Sequence, residues 1–522
     1  LLVIPILWFY AGATGWAASA IRATVMMSAV LAGWAARRPS DLLNSLAAAA
    51  LIILAWQPQQ LFQAGFQLSF VVVACMAVVG PALRQIRLRK PDPLAPPAPP
   101  PVPGWRTWLS GYARETLLAS LAAWLGSIPL TAYYFNLFSM SSVPGNLVVI
   151  PICVLCLICN LASLLAGGVF PAVSGAFNNA AWLFMKMIVA ASQWAADFPR
   201  GAVYVAAPSL AGMVFYYLAL ATVPTGLILK SPRNKWAVIG LSLLGSVWLA
   251  QAVARERVIN LHILSDRGAE IAFLDTPRGR DVTVVNTGRS NSVERLVKPF
   301  LGVHGVNRLP RLILNHGDTA HAGGLPSVME SFRPAAINTG PFRTRSAVFD
   351  FLGERTAQKE SRWEPLAAGA QAGVWRVVYP PEGNRAARAE DDAVVLLGDL
   401  NRARVLLLSN LGRAGQHALL GRSENLAADI LVAAVSAGGD SVIDSLLDAA
   451  RPSLVVIVDG EPGSAQRAPE ALRERFQSRA QAVLWTHETG SVQFKFAPGR
   501  WRALSADGRE LARGAPGHRE KL

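Results

Sequence analysis

Phe62-Gln63-Ala64-Gly65-Phe66-Gln67-Leu68-Ser69-Phe70 puts two glutamines and a serine inside an apolar run that extends from Leu61 to Leu83. A run of that length meets the roughly 20 residues needed to cross a hydrocarbon core of about 30 Å. A lipid-facing amide has nothing to hydrogen-bond, so Gln63 and Gln67, four apart on one helical face, must turn towards other helices or a wet path. Reading this stretch as a membrane helix with an inward polar face decides the class of the chain.

The surrounding sequence agrees. The chain has 522 residues and 52% hydrophobic content, with a mean hydropathy of +0.33, which excludes a wholly water-soluble chain and a single ordinary domain. Apolar runs near span length recur at 1–14, 18–36, 42–56, 61–83, 114–134, 145–168, 177–198, 209–229 and 236–254. After Arg255 the runs shrink to about five to eight residues between charged and Gly/Pro punctuation, the pattern of short strands in a soluble domain. The expected fold is therefore a polytopic α-helical membrane domain over 1–255, an α+β soluble domain over 256–500 and a flexible basic tail over 501–522.

Positive charge sets the expected orientation. Residues 91–103, Pro-Asp-Pro-Leu-Ala-Pro-Pro-Ala-Pro-Pro-Pro-Val-Pro, cannot sustain a helix and read as a stiff linker. Arg84, Arg87, Arg89, Lys90 and Arg106 flank it, so the loop at 84–106 is placed in the cytoplasm, as are Arg37/Arg38 and Lys230/Arg233/Lys235. Even numbers of spans separate these loops, and span 236–254 then delivers residues 256–522 to the extracytoplasmic face. Leu1 is not an initiator Met and no charged signal-peptide region precedes the first apolar run, so the chain is read as beginning within a longer protein.

The cysteines Cys75, Cys153, Cys156 and Cys159 all fall in apolar spans. Cys153-x2-Cys156-x2-Cys159 has ligand-like spacing, but without a His or carboxylate neighbour it reads as small buried hydrophobes rather than a metal site. A net charge of +15 suits a polyanionic partner, and equally suits anionic lipid and the positive-inside bias.

Three elements together resemble the ComEC-type channel family, which carries single-stranded DNA across the bacterial inner membrane. Gly12 to Ala23, with Ser19-Ala20-Ile21-Arg22-Ala23, resembles its glycine, link and "RA" element. Pro58, Phe62 and Gly65-Phe66-Gln67-Leu68-Ser69-Phe70 resemble its most recognisable motif, and Pro129 with Asn146-Leu147-x3-Pro151 its later P…NL…P element. The resemblance implies a multi-pass inner-membrane competence channel followed by a metallo-β-lactamase-like domain, with single-stranded DNA, membrane lipid, other competence-machinery proteins and possibly a second copy of the chain as partners. A DNA path asks for polar groups through the bilayer. Arg22, Gln63, Gln67, Ser69 and Asn146 are candidates to line it, as are Asn179, Lys186 and Gln193, which recur every seven residues on one helix face. The competing reading is that these groups cross-link helices, with Lys186 paired to an acid.

The soluble part reads as an αββα sandwich of the metallo-β-lactamase kind. Strands are expected at Val258–Leu264, Glu270–Leu274, Val282–Val285, Arg311–Leu314 and Arg404–Leu408. Asn315-His316-Gly317-Asp318-Thr319-Ala320-His321 resembles the family's His-x-(His or Asp)-x-Asp-His motif, whose side chains hold two metals that polarise a phosphoryl group and generate hydroxide. His316, Asp318 and His321 remain, while Ala320 stands where the second metal's Asp belongs. Asn286 replaces the Asp of Asp-Thr-Gly, Ser409-Asn410 the bridging Gly-Asp, and Ala434-Val435-Ser436-Ala437-Gly438 the His-His-Gly-Ser. The expectation is a vestigial zinc or manganese site, no likely cofactor and no catalytic residue, since zinc wants at least three protein ligands. The alternative is a membrane-tethered extracytoplasmic metal-dependent nuclease that degrades the strand not transported, with Asp399 and Asp429 as the carboxylates to examine. No P-loop or dinucleotide fingerprint is present, so no nucleotide-driven motor is legible in this chain.

Overall fold

The computed structural model describes residues 3–16, 18–35, 42–85, 104–198, 201–225, 258–277, 281–340, 351–353, 361–383, 388–422, 424–436, 441–464, 466–479 and 481–517. The chain divides into two compact units, Leu1–Trp248 with Gly302–Gly305, and Leu249–Leu301 with Val306–Leu522. The expected boundary at 255/256, the linker 91–103, Arg37/Arg38, Lys230/Arg233/Lys235, Ala437-Gly438 and the span 236–254 lie outside the described residues.

In the first unit α1 (Val3–Ala13), α2 (Ala18–Ala35) and α3 (Leu42–Trp56) precede a 3-10 turn at Pro58–Phe62 and then α4 (Ala64–Gln85). α5 (Trp105–Phe135), α6 (Ser142–Ala166), α7 (Pro171–Asp197) and α8 (Leu210–Thr225) follow, with a short ribbon of β1 (Leu137–Ser139) and β2 (Ala202–Tyr204). Of the nine expected spans, three among the described residues are long and apolar enough to cross a membrane: Ala64–Arg84, Trp105–Phe135 and Ser142–Ala166. The correction is one of length and polarity. α1 has 11 residues, and at 1.5 Å per residue it reaches only about half of a hydrocarbon core. α7 has 27 residues, but Asn178, Asn179, Lys186 and Gln193 dilute its apolar character.

Helix contacts in this unit are made by small residues and freed carbonyls. A Cβ at Gly126 of α5 would stand 2.6 Å from Cys75 Cβ of α4, so the two helices approach there because the glycine lacks one. Pro129 within α5 has no N–H, which leaves the carbonyl of Leu125 one turn earlier without its helical donor. Tyr216 of α8 donates its hydroxyl to that carbonyl at 2.8 Å, and Tyr217 donates to the carbonyl of Gly126 at 3.0 Å. α6 meets α7 through Ser163 and Ser174, whose hydroxyls lie 3.0 Å apart, and through Cys156, which is buried and donates to Ala181 O at 3.5 Å. Cys153 points outwards from α6.

The second unit is built on two sheets. The larger runs through β3 (Ile259–Asp266), β4 (Ala269–Asp275), β5 (Thr283–Val285), β6 (Arg311–Leu314), β7 (Ala336–Thr339) and β8 (Arg362–Pro365), and is extended beyond β3 by β16 (Val492–Ala497), β17 (Arg500–Ser505) and β18 (Glu510–Gly514). The smaller is ordered β15-β14-β13-β12-β11-β10-β9, from Val483–Trp485, Leu454–Val458, Ile430–Ala434, Ala403–Ser409, Val395–Leu400, Trp375–Tyr379 and Gln371–Ala372. β5 to β8 are parallel to one another, as are β12 to β15.

Side-chain alternation fixes how the sheets stack. Leu261, Ile263, Leu274 and Ile313 of the larger sheet share one buried core with Val405, Leu407, Val432 and Val456 of the smaller. The intervening Leu406, Leu408, Leu431 and Val455 point the other way, onto Leu419, Leu446, Leu472 and Phe476 of the covering helices. On the far face of β4, Phe273 meets Phe300 at 5.3 Å between ring centroids. The order is helix, sheet, sheet, helix: an αββα sandwich.

One boundary differs from the expectation. Residues 501–514 are not a flexible tail, because Trp501 (2% exposed) and Ala503 (0%) are buried and β17 pairs with β16 through Phe496↔Trp501. The alternating arginines that suggested a solvated tail occupy the outward face of an edge hairpin. Residues 518–522 lie outside the described residues.

Candidate functional site

The parallel strands of both sheets end at one edge of the sandwich, and the His-rich loop follows β6 there. Asp318 caps the one-turn helix α9 (Thr319–Ala322), its carboxylate accepting the His321 amide at 2.9 Å. The same oxygen lies 2.6 Å from His321 Nδ1, and the Asp318 amide donates to His316 Nδ1 at 3.2 Å. Burial by itself pushes the Asp318 carboxyl up, but its hydrogen bonds with His316 and His321 outweigh that and hold it well below the usual carboxylate range. The loop is braced from behind by the amides of Thr287 and Gly288, which donate to His321 O at 2.7 and 3.1 Å.

Ligand atoms of His316, Asp318 and His321 lie within 4.8 Å of one another, the one such group among the described residues. A hydrogen bond from His321 Nδ1 to the Asp318 carboxylate leaves that ring's lone pair on Nε2, the tautomer a metal requires, whereas His316 accepts the Asp318 amide through Nδ1 and so carries its proton on Nε2. Nε2 of both histidines is buried without a hydrogen-bond partner. His321 and Asp318 fit a cation as they stand, and His316 would join them by releasing the Asp318 amide from Nδ1.

A two-metal hydrolytic centre does not fit the described residues. Asn286 is a backbone strut, its amide donating to Glu270 O at 3.0 Å and its oxygen accepting the Asn315 amide at 3.1 Å. Ser409 is buried at the end of β12 with φ 55, and no carboxylate follows it. Asp399 and Asp429 are not displaced ligands. Asp399 accepts the Arg402 amide at 2.9 Å in the turn between β11 and β12, and Asp429 accepts Arg404 N at 2.8 Å and Gly517 N at 2.7 Å ahead of β13. Both sit at the opposite strand ends from Ser409, since Val405 pairs with Ile430 and Ser409 with Ala433.

Two features here escaped the sequence reading. Glu270 at the start of β4 is fully buried with neither carboxylate oxygen hydrogen-bonded, and burial pushes its carboxyl up to about 8. Its inward parity with Ala272 and Leu274 was the available signal. His487, which has no metal-like spacing, instead lies 2.5 Å from buried Asp459 through Nδ1, with Arg473 2.8 Å from its Nε2 and stacked on Trp485.

The polar candidates of the first unit separate into three groups. Gln67 is satisfied: its oxygen accepts the Tyr134 hydroxyl at 3.0 Å and its NH2 donates to Leu61 O at 3.0 Å. Ser69 donates back to Gly65 O at 2.7 Å, Gln63 is exposed, and Asn146 is half-buried. Asn179, Lys186 and Gln193 stand on an exposed face of α7, so they face outwards rather than into the described helices. Lys186 has no acid partner among the described residues; its ammonium lies 3.9 Å from the Trp182 ring centroid. Arg22 alone of the eight is fully buried, at 6% exposure, with its guanidinium against Gly65.

Comparison with known proteins bears on the chain as a whole. Residues 1–230 match the family described as "Competence protein". The chain is 20% identical over 533 residues to ComE operon protein 3 of Bacillus subtilis (strain 168), covering 95% of this chain and 63% of that protein. It is 24% identical over 502 residues to competence protein ComA of Neisseria gonorrhoeae, covering 95% and 64%. The chain thus spans somewhat under two thirds of the length of either relative. Among solved structures it is similar to Igni18, a metallo hydrolase of Ignicoccus hospitalis, at 11% identity over 45% of this chain and 99% of that one with a TM-score of 0.31. It is also similar to rubredoxin oxygen:oxidoreductase of Desulfovibrio gigas, at 14% identity over 29% and 39% with a TM-score of 0.21. Scores this low leave the sandwich to be argued from its own topology, as above. The first unit thus holds three helices long and apolar enough to cross a membrane, and residues 1–230 of the chain are similar to the competence-protein family.

Proposed function

We propose that this protein carries single-stranded DNA across the bacterial inner membrane during natural transformation, and that its sandwich unit is extracytoplasmic and does not hydrolyse the strand. The observation that carries the reading is the meeting of separated sequence elements: Arg22 of α2 lies against Gly65 of α4. Gln67, two residues further on, is tied to Tyr134 of α5, close to Pro129. Such a junction supplies what a phosphate-bearing chain needs inside a bilayer, a cation and bonded amides in place of water. Membrane lipid, other competence proteins and a second copy of the chain are the partners this function calls for. Energy comes from a partner or a gradient. The basic residues Arg84, Arg106 and Arg114 support a cytoplasmic end for the α4–α5 hairpin.

Complementation of a deletion strain tests the function, scoring entry of labelled DNA separately from recombination. Entry restored by this chain supports it, and recombination defects with normal entry argue against it. A reporter fused after residue 300 should behave as exported.

One observation favours a second reading. The three converging donors and two unpaired imidazole nitrogens of the sandwich fit a cation, which a membrane-tethered nuclease would use. Against it stands the absence of a bridging carboxylate among the described residues. Metal analysis of the purified protein, with nuclease assays on single- and double-stranded DNA against His316→Ala/His321→Ala, separates the two. Our reading expects no cleavage above that control and no second metal, while cleavage abolished by the two alanines would establish the nuclease.

A further inference from the structure

The geometry points to a phosphate-binding site at the first turn of α4, made by the Arg22 guanidinium where it lies on Gly65, which takes the phosphodiester backbone of single-stranded DNA. It rests on the uptake reading and names the contact that reading lacks.

Arg22 is 6% exposed and makes no hydrogen bond or ion pair with any described residue, its Nε being buried and unpartnered. A buried cation without an anion is costly, and an arginine remains charged. The sequence offers few acids to neutralise it: residues 1–230 contain only Asp41, Asp92, Glu115 and Asp197. Glu115 is taken by Arg84 at 2.9 Å, Asp197 is exposed at the end of α7, and Asp41 and Asp92 lie outside the described residues. The charge balance at Arg22 is left for something that is not part of the described chain.

Its position names the chemistry of that partner. A Cβ on Gly65 would stand 2.9 Å from Arg22 Nη2, so the guanidinium lies on the α4 backbone only because residue 65 has no side chain. Gly65 is the second residue of α4, a helix of 22 residues. The amides of Phe66 and Gln67 turn back to Gln63 O. A planar fork of N–H donors beside the positive end of a helix binds a tetrahedral oxyanion. Arg22 is buried, and its neighbours in sequence and across the contact, Val25 and Phe66, belong to one buried cluster between α2, α3 and α4, which favours a phosphodiester held among the helices over a headgroup on their outer surface.

The test uses the full chain purified in detergent, with binding of a fluorescent single-stranded oligonucleotide measured across a salt series and DNA entry measured in the complemented strain. Arg22→Gln and Arg22→Lys should each weaken oligonucleotide binding about tenfold, since lysine cannot reproduce the bidentate fork. Arg22→Gln should lower the slope of log affinity against log salt by about one. Gly65→Ala should weaken binding with the charge intact, and an uncharged peptide-backbone oligomer should not distinguish the variants. Unchanged affinity and slope in a well-folded Arg22→Gln protein overturns the site, as does loss of a co-purified anionic phospholipid with DNA binding unaltered, which would assign Arg22 to a headgroup. Failure of both arginine variants to accumulate also overturns it, making Arg22 a folding residue. Failure of the wild-type chain itself to restore entry counts against the uptake reading instead.

Discussion

The two units of this protein treat large apolar side chains in opposite ways. In the helical unit Leu51, Leu157 and Leu165 are 70%, 56% and 73% exposed, whereas after residue 225 only Val303 and Trp363 among the described residues are large, apolar and exposed. Lipid solvates leucine as readily as another leucine does, so helices in a bilayer gain nothing by hiding it. They are held by close small-residue contacts and by hydroxyls that reach freed carbonyls, as Tyr216 reaches Leu125. Water makes the opposite demand, and the sandwich answers with a continuous two-sheet core. The difference teaches where each unit is vulnerable.

The largest effect should come from cutting that core. Leu407→Ala removes a fully buried side chain between the sheets and should destabilise the sandwich by about 2–5 kcal/mol, while Leu157→Ala on the exposed face of α6 should leave stability nearly unchanged. Protease resistance of each unit in the intact protein reads both, and equal losses would break the comparison.

Glu270 sharpens it from within the sandwich. Its folded pKa is raised to about 8, so ionisation favours the unfolded chain. The stability it contributes is whole below the unfolded carboxyl range, falls as pH rises and is lost once pH passes about 8. Glu270→Gln should therefore stabilise the unit, with a gain that grows from about pH 4.5, reaches a few kcal/mol near pH 8 and then levels. Thermal unfolding against pH decides it, and a pH-independent difference would show that the carboxyl has a partner in solution.

A smaller loss is expected at the helix junction. Tyr216→Phe withdraws a hydroxyl from a carbonyl that Pro129 has already deprived of its helical donor, and should cost about 1–2 kcal/mol. The smallest belongs to Arg84→Ala. Both it and Glu115 are about half exposed, and an ion pair of that kind contributes under about 1 kcal/mol. A large loss of membrane abundance in Arg84→Ala would instead reveal a role in orientation.

Much of the arrangement was legible because it repeats along the chain. Short apolar runs between charged and Gly/Pro punctuation located β3 to β6 and β12 within about two residues, while the span expected from Leu61 begins as α4 only at Ala64, after a 3-10 turn. The His316-Asp318-His321 spacing announced the cluster that the loop forms. The tail expected at 501–522 looked solvated because charge was weighed without parity, and polarity alone does not say which neighbour satisfies Gln67 or Lys186.

The sequence by itself determined two regions of different hydropathy, the short strands of the second and the identity of the residues in the His316 loop, since hydropathy, period and residue identity are local properties. Only the tertiary structure decided partners. That Tyr134 comes 67 positions after Gln67 to bond it, that Asp429 is consumed by Arg404 and Gly517, and that Arg22 is buried against Gly65 without an anion are facts of spatial proximity. Hydrogen bonds and ion pairs act over about 3–4 Å, and a chain's order says nothing about which distant residues the fold brings within that reach.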